Sequence, residues 1–369
     1  MAQRQIWMVG TAPTGKGGIA SVVQQYRDAG VFDGDSIHYE PSHDDKNSLG
    51  RVLPFLRCAS RLWPAMLMGR VLLLHAHTSF GGSFWRKLML ALPAFALSIP
   101  VIVHLHAGSF IDFHARGGAW RKYCLRLLLR RAYRVVVLSA EWHQWANSVE
   151  PEANVVVVPN SLSAVTGCGG TEDCNKRPTV LFLGRISDSK GAFDLLSALA
   201  MVRESVQDLQ LLIGGDGDVV RLNQESARLG LEGVVKYVGW ADSKAKSLLF
   251  ASCWVFALPS YKEGLPMSIL EAMAFSRAVV SCPVGGIPLA VEHNVTGMLS
   301  PPGDVVALAA NLRTILSSTT LARKLGQAGR QSFEHKFSHE ANLPKIFALY
   351  REAGAKDLPI FPSQNQSTQ

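Results

Sequence analysis

Short β-branched runs alternate along this chain with longer stretches whose apolar positions recur at helical spacing. In the first half the pattern predicts strands at Ile6–Val9, Val71–His75, Val101–Leu105, Val135–Leu138 and Val155–Val158. Helices are predicted over Ile19–Ala29, Trp85–Ala96 and Arg121–Tyr133. Ser161–Pro178 loses all periodicity and is rich in Gly, Ser, Thr and Asn, as a linker is. A second series starts at Thr179–Gly184 and continues with strands at Leu209–Ile213, Val234–Tyr237, Trp254–Leu258 and Ala278–Ser281. Val305–Phe333 and His339–Ala353 read as helical, and the polar tail from Lys356 as disordered. Strand–helix alternation implies parallel α/β construction. The expected organisation is a Rossmann-like domain over 1–160, a linker over 161–178 and a second Rossmann-like domain over 179–335. A terminal helix over 336–354 and a tail over 355–369 complete it. Two such units in series are expected to face a ligand cleft at the carboxyl ends of their strands.

Composition agrees with packed cores: 48% of residues are apolar and 18% charged. The longest apolar run, Leu88–Val103, is broken by Pro93 and Pro100 and falls short of the roughly 20 residues a membrane span needs. No transmembrane segment and no signal peptide are therefore expected. Cys58, Cys124, Cys168, Cys174, Cys253 and Cys282 are scattered without zinc-ligand spacing and read as free thiols.

The net charge of +8 is unevenly spread. Between Arg51 and Ala140 there are 13 Lys/Arg against one acid, Asp112, so that segment carries +12 and the remainder is slightly acidic. A basic, apolar half points to an anionic partner. The stretch Trp120–Arg134 sets Tyr123, Leu127 and Leu128 beside Arg121, Arg126 and Arg130, a helix able to lie on anionic lipid or to serve as an ordinary charged surface. Nucleic-acid binding has only charge in its favour.

The sharpest chemical signal is Glu263 and Glu271, eight residues apart in YKEGLPMSILEAMAF. Pro266 is placed to open a helix. Glu263 then lies in the loop before it and Glu271 within it, while the backbone N–H groups of Gly264, Leu265 and their neighbours form an anion-attracting helix mouth. Arg185 and Lys190 follow a strand end in LFLGRISDSKG, two cations suited to a leaving diphosphate. Gly10–Gly18 follows the first strand; Gly10, Gly15 and Lys16 match part of a P-loop, but Gly17 stands where Ser or Thr should bind the metal. Gly17 and Gly18 read better as backbone free to approach a phosphate or sugar. His75, His77, His104 and His106 gather at two neighbouring strand ends. His106 is the candidate contact for a transferred sugar, and zinc is a rival use without a supporting motif.

Together these residues resemble the retaining GT-B glycosyltransferases of family 4, which include many bacterial surface-polysaccharide enzymes. GRISDSKG is similar to the family's phosphate-binding segment, EGLPMSILE to its E-x7-E motif, GGIASVV to its Gly-rich loop, and HLHAGSFIDF to its polysaccharide-assembly branch. The resemblance implies a GT-B fold and sugar transfer from a nucleotide diphosphate donor to a polyprenyl-linked or polysaccharide acceptor. It implies that Arg185 and Lys190 hold the diphosphate, Glu271 the ribose and Glu263 the donor hexose, with Gly17 and Gly18 closing on the donor. His106 would contact the sugar near its anomeric carbon. Same-face attack, with the leaving phosphate taking the acceptor's proton, implies no metal, no cofactor and no protein nucleophile. The expected location is cytoplasmic, on the inner face of the plasma membrane. Three positions depart from the pattern: Ala107 in place of a Gly, Leu289 in place of a Glu, and Asn160–Ser161 in place of Asn-Gly. A non-catalytic nucleotide-sugar binder is the alternative, and a P-loop-like NTPase a weaker one.

Overall fold

A computed structural model describes residues 4–15, 17–44, 48–106, 108, 110–164, 177–356 and 358. Lys16, Ala107, Cys168 and Cys174, most of the expected linker and the expected tail lie outside them. The chain forms two compact units, one comprising residues up to Ser163 together with the chain from Phe337, the other Ala164–Lys336.

The first unit runs β1 (Gln5–Thr11), α1 (Gly18–Asp28), β2 (Ile37–His43), α2 (Ser48–Leu67), β3 (Val71–Thr78), α3 (Gly82–Ala96) and β4 (Val101–Leu105). It continues through α4 (Phe110–Ala115), α5 (Ala119–Arg131), β5 (Arg134–Val137), α6 (Ala140–Val149) and β6 (Val155–Val157). Its six parallel strands are ordered β2-β1-β3-β4-β5-β6. The order reverses beside β1, so the loops after β1 and β3 flank the topological switch point where α/β sheets bind ligands. Successive side chains of a strand alternate between faces. Leu74, Ala76, Val103 and Leu105 therefore join one apolar core with Cys58 and Leu62 of α2, Leu88 and Ala91 of α3, and Leu125 and Leu128 of α5. His75, His77 and His104 occupy the opposite face, also buried.

The second unit runs β7 (Thr179–Leu183), α7 (Ala192–Val202), β8 (Gln210–Gly214), α8 (Val219–Arg228), β9 (Val235–Gly239), α9 (Ser243–Ser252) and β10 (Val255–Leu258). Then come α10 (Met267–Ala274), β11 (Ala278–Ser281), α11 (Ile287–Ala290), β12 (Gly297–Leu299), α12 (Val305–Leu316) and α13 (Thr319–Lys336). Its strands are parallel in the order β12-β11-β10-β7-β8-β9, with the switch point between β7 and β10. Among the described residues no single helix is long and apolar enough to cross a membrane.

Several elements differ from expectation. The sequence pattern does not show β2, whose IHYEPSH mixes polar residues with Pro41, nor α2, which carries Pro54 and Pro64 inside it. The helical stretch expected over Val305–Phe333 is two helices, parted at Ser317–Ser318. The terminal helix α14 (His339–Glu352) does not stand apart but belongs to the first unit, because Leu343, Ile346, Phe347 and Tyr350 are all buried. Leu162, expected in the linker, bridges to Ser338 where the chain returns.

One side chain opposes this packing. Lys87 of α3 is fully buried and its Nζ has no hydrogen-bond partner, so burial and then Arg86 push its pKa down to about 7. The sign follows directly: a folded-state value below the unfolded one means the amine destabilises the fold most below about pH 7 and least above about pH 10. Lys87→Met is expected to stabilise the protein by roughly 3 kcal/mol at neutral pH and by under about 1 kcal/mol near pH 10. Urea midpoints at the two pH values measure this.

Candidate active site

In the second unit the loops after β7 and β10 leave the sheet on either side of its switch point, and they are packed backbone to backbone. Gly191 adopts φ +67°, and a Cβ there would come within 2.1 Å of the Pro259 carbonyl oxygen. The Tyr261 N–H also donates to the Ser189 carbonyl at 3.0 Å. This close approach delivers Lys190 to Glu263. The Lys190 Nζ donates to Glu263 Oε1 at 2.6 Å, and the Ser260 hydroxyl donates to the same oxygen at 2.8 Å. Glu263 is buried and Lys190 partly so, which makes this a low-dielectric ion pair and not a solvated surface contact. Arg185, on the same loop, is exposed and makes no ion pair among the described residues. One cation is thus engaged by the carboxylate and one is available to an anion.

Gly264 and Leu265 are buried between Glu263 and α10. Their backbone is fixed from below: the Gly286 N–H donates to the Gly264 carbonyl at 2.5 Å, and a Cβ on Gly285 would meet the Glu263 carbonyl oxygen at 2.1 Å. Pro266 is the N-cap of α10 and not its first residue, so the helix begins at Met267, one residue later than the sequence pattern suggests. Glu271 is buried in that helix, and both its oxygens accept from Lys246 of α9, at 2.9 and 3.1 Å. Sequence reasoning missed Lys246, since nothing in SKAKSLLF sets it apart from any exposed helix lysine. Two Lys–Glu pairs, one at the mouth of α10 and one within it, together with the exposed Arg185, can grip a pyrophosphate and order sugar hydroxyls.

Gly17, Gly18 and His106 belong to the first unit. Gly17 has φ +115° and caps α1, and a Cβ on either glycine would meet no atom within 4 Å. The loop backbone is therefore open to a ligand, and at Gly17 its conformation also requires glycine. A cleft of about 850 Å³ opens at the carboxyl end of β2. Leu53 and Leu56 line it, as does Glu40, which receives Arg61 at 3.0 Å and Arg57 at 3.9 Å.

His106 follows β4, and its N–H donates to the Thr78 carbonyl at 3.0 Å. It closes a stack with His75, His77 and His104, ring centroids lying 4.1 to 5.4 Å apart. Burial depresses all four imidazoles, His75 and His106 to about 3, and His77 and His104 well below the ordinary value. The His106 ring is therefore neutral at physiological pH and is not a general acid. Nitrogens of His75, His77 and His104 approach within 4.8 Å of one another, as metal ligands would. Their ring planes, however, are only 11° to 29° apart and stacked. Imidazole lone pairs lie in the ring plane, so these rings do not aim at one tetrahedral ion.

Comparison with known proteins agrees with this geometry. Residues 172–332 match the model of the family described as glycosyl transferases group 1, and residues 24–161 match a glycosyl transferase 4-like domain. The chain belongs to the GT-B glycosyltransferases of family 4. It is 31% identical over 166 residues to the amylovoran biosynthesis glycosyltransferase AmsK of Erwinia amylovora, a match covering 43% of this chain and 41% of that one. Alignments with the first curated relatives span less than half of those proteins' lengths. The fold is similar to that of a sucrose-phosphate synthase from Thermosynechococcus elongatus, with a TM-score of 0.79, 21% identity and coverage of 95% of this chain and 99% of that one. It is also similar to Anabaena Alr3699/HepE in complex with UDP, with a TM-score of 0.73, 20% identity and coverage of 94% and 100%. Of the three departures from the family-4 pattern, Leu289 is exposed, Asn160 is buried in the first unit and Ala107 lies outside the described residues.

Proposed function

We propose that this chain is a retaining hexosyltransferase. It takes a nucleotide diphosphate sugar as donor and a lipid-linked or polysaccharide acceptor in bacterial surface-polysaccharide assembly. The observation that carries this reading is the Lys190–Glu263 pair at the switch point, with Ser260 on the same oxygen and Arg185 exposed nearby along the loop. Arg185 and Lys190 would neutralise the diphosphate as it leaves, Glu263 would order the hexose, and Glu271 would receive ribose hydroxyls with Lys246 beside it. Gly17 and Gly18 would contact the donor through their open backbone. The leaving phosphate oxygen would accept the acceptor's proton, so the proposed chemistry uses neither metal nor cofactor. Two neighbours in fold are described in complex with UDP and with UDP-glucose, which supports a uridine nucleotide first in any search. The amylovoran description of one relative supports a polysaccharide pathway.

Association with the cytoplasmic face of an anionic membrane is part of this proposal. On α2 Val52, Leu53, Leu56 and Leu67 are exposed, as is Met68 just after it, and on α5 Trp120 and Tyr123 are exposed and stacked. Arg126 and Arg130 beside them are partly answered by Glu150 and Glu152, so the apolar contribution outweighs the charge there.

The test is thermal stabilisation by UDP-, GDP- and ADP-sugars, followed by transfer with EDTA present and by the anomeric configuration of the product. At a hundredfold excess over its dissociation constant, a true donor is expected to stabilise the protein by about 2.7 kcal/mol. No stabilisation by any of them defeats the donor reading. An inverted product or loss of transfer in EDTA defeats the mechanistic part alone.

A further inference from the structure

The loop after β8, GGDGD at Gly214–Asp218, continues the sheet past the end of β7. The last regular pair of those two strands is Leu183 with Gly214. Beyond it the Gly184 N–H donates to the Gly214 carbonyl at 3.0 Å, and Ile186 forms a parallel bridge with Gly217. Both backbone groups of Ile186 are used. Its N–H donates to the Asp216 carbonyl at 2.7 Å, and its carbonyl accepts from the Asp218 N–H at 3.0 Å. Arg185 is thus held between two paired residues. The GGDGD loop is itself tied to the edge strand β9: the Gly215 N–H donates to the Gly239 carbonyl at 2.9 Å, and the Tyr237 hydroxyl donates to the Gly215 carbonyl at 2.9 Å.

Two positions in this pairing admit only glycine. Gly215 and Gly217 adopt φ +141° and +121°, where an L side chain is strained. A Cβ on Gly215 would also overlap the Gly184 carbonyl oxygen, and one on Gly217 the backbone of Ile186. Those groups bracket Arg185. The bridge also sets which way Arg185 faces, because side chains of an extended segment alternate between its two sides. Ile186 is buried, so Arg185 falls on the other side, where it is exposed. A slip of one residue would bury the guanidinium and expose the isoleucine. The first turn of α8 adds a second restraint on the same loop: Arg221 donates to Asp188 at 2.8 Å and lies 3.8 Å over the Phe193 ring.

We propose that Gly215 and Gly217 are positioning residues for Arg185, holding its backbone in a short extension of the sheet so that the guanidinium is presented to a diphosphate in a preset direction. This rests on the reading of Arg185 as a diphosphate contact. Lys190 is oriented by its ion pair with Glu263, whereas Arg185 makes no ion pair among the described residues, so its backbone is what aims it. An exposed arginine on a free loop loses both backbone and side-chain freedom when it grips an anion. The bridge removes the backbone part of that loss before the anion arrives, which is preorganisation. Affinity for the diphosphate therefore depends on two residues that have no side chains.

The test is calorimetric titration of UDP, GDP and ADP into the full chain, combined with hydrogen–deuterium exchange at the Ile186 amide. The wild type is expected to bind at least one of the three and to protect that amide. Arg185→Ala is expected to weaken the bound diphosphate about 10- to 100-fold, as loss of a charge-assisted contact does. Gly217→Ala is expected to speed exchange at Ile186 and to weaken binding about tenfold through lost preorganisation. The double variant Arg185→Ala/Gly217→Ala should bind no more weakly than Arg185→Ala alone, because one residue acts through the other. A purely structural role for the glycine would not show that coupling. Tyr237→Phe, which keeps both glycines and removes one hydrogen bond to the loop, should weaken binding about twofold to threefold, and only while Arg185 is present. Wild-type affinity in Gly217→Ala, or losses that add in the double variant, overturns the positioning proposal and leaves Arg185 a diphosphate contact. Wild-type affinity in Arg185→Ala, or binding of none of the three nucleotides, defeats the donor reading itself and the proposal with it.

Discussion

Acidification from about pH 7 to about pH 5 is expected to unfold the first unit while the second remains folded. Burial depresses His75, His77 and His104, all fully inside the first unit, and also His339, to about 4. In the unfolded chain these imidazoles return to about 6.5. Between the folded and unfolded values the unfolded state binds more protons, so stability is full above about pH 6.5 and falls as the pH drops towards the folded values. Each such group contributes about 1.4 kcal/mol per pH unit in that window, and the three stacked rings together about 4 kcal/mol per unit. A domain stability of roughly 5–15 kcal/mol is then consumed within about one to four units. Lys87 does not change this slope, because below about pH 7 it is protonated in both states. Six of the eight tryptophans precede Ser163, so intrinsic fluorescence reports mainly the first unit. A fluorescence transition with a midpoint near pH 5 is the expected result, moved to lower pH by His104→Leu. A urea midpoint that does not fall between about pH 6.5 and pH 5 would show that the rings are not held neutral in the fold.

The parts of the molecule legible from sequence are those whose physics is local. Val101–Leu105 and Ala278–Ser281 are fully buried strands with unbroken apolar runs, and the structure keeps their limits unchanged. The pairing of Lys190 with Glu263 was foreshadowed only as two motifs in one site; the 73-residue separation gives no hint of a direct bond. The two strands that carry them are neighbours because the chain crosses to the other side of β7 after β9, a property of topology and not of either motif. Lys246 and Tyr350 were not legible at all. Lysine on a half-exposed helix and tyrosine in an apolar helix are ordinary, and only tertiary packing sets one on Glu271 and the other on His75. The break between α12 and α13 was hidden because Ser317 and Ser318 neither carry charge nor force a turn by themselves.

Lys190→Ala is expected to lower sugar transfer by about 10²–10³, the usual effect of removing one group that stabilises charge developing in a transition state. The loss should fall on kcat more than on donor KM, because the leaving diphosphate carries more charge than the bound donor does. The structure adds a second consequence. Glu263 is buried, and its accepting oxygen receives Lys190 and Ser260, so deleting the ammonium takes a cation away from a buried carboxylate. Breaking a buried ion pair from one side destabilises by about 3–5 kcal/mol in well-enclosed cases, and less here because Lys190 is 29% exposed. Glu263→Gln on the Lys190→Ala background removes the stranded charge and should recover stability without recovering transfer. That divergence separates the two roles of the pair. If the double variant regains both stability and rate, Lys190 serves only to neutralise Glu263. If it regains stability yet transfers more slowly than Glu263→Gln alone, the ammonium acts on the donor's phosphate, as the position of this loop at the switch point of the sheet leads one to expect.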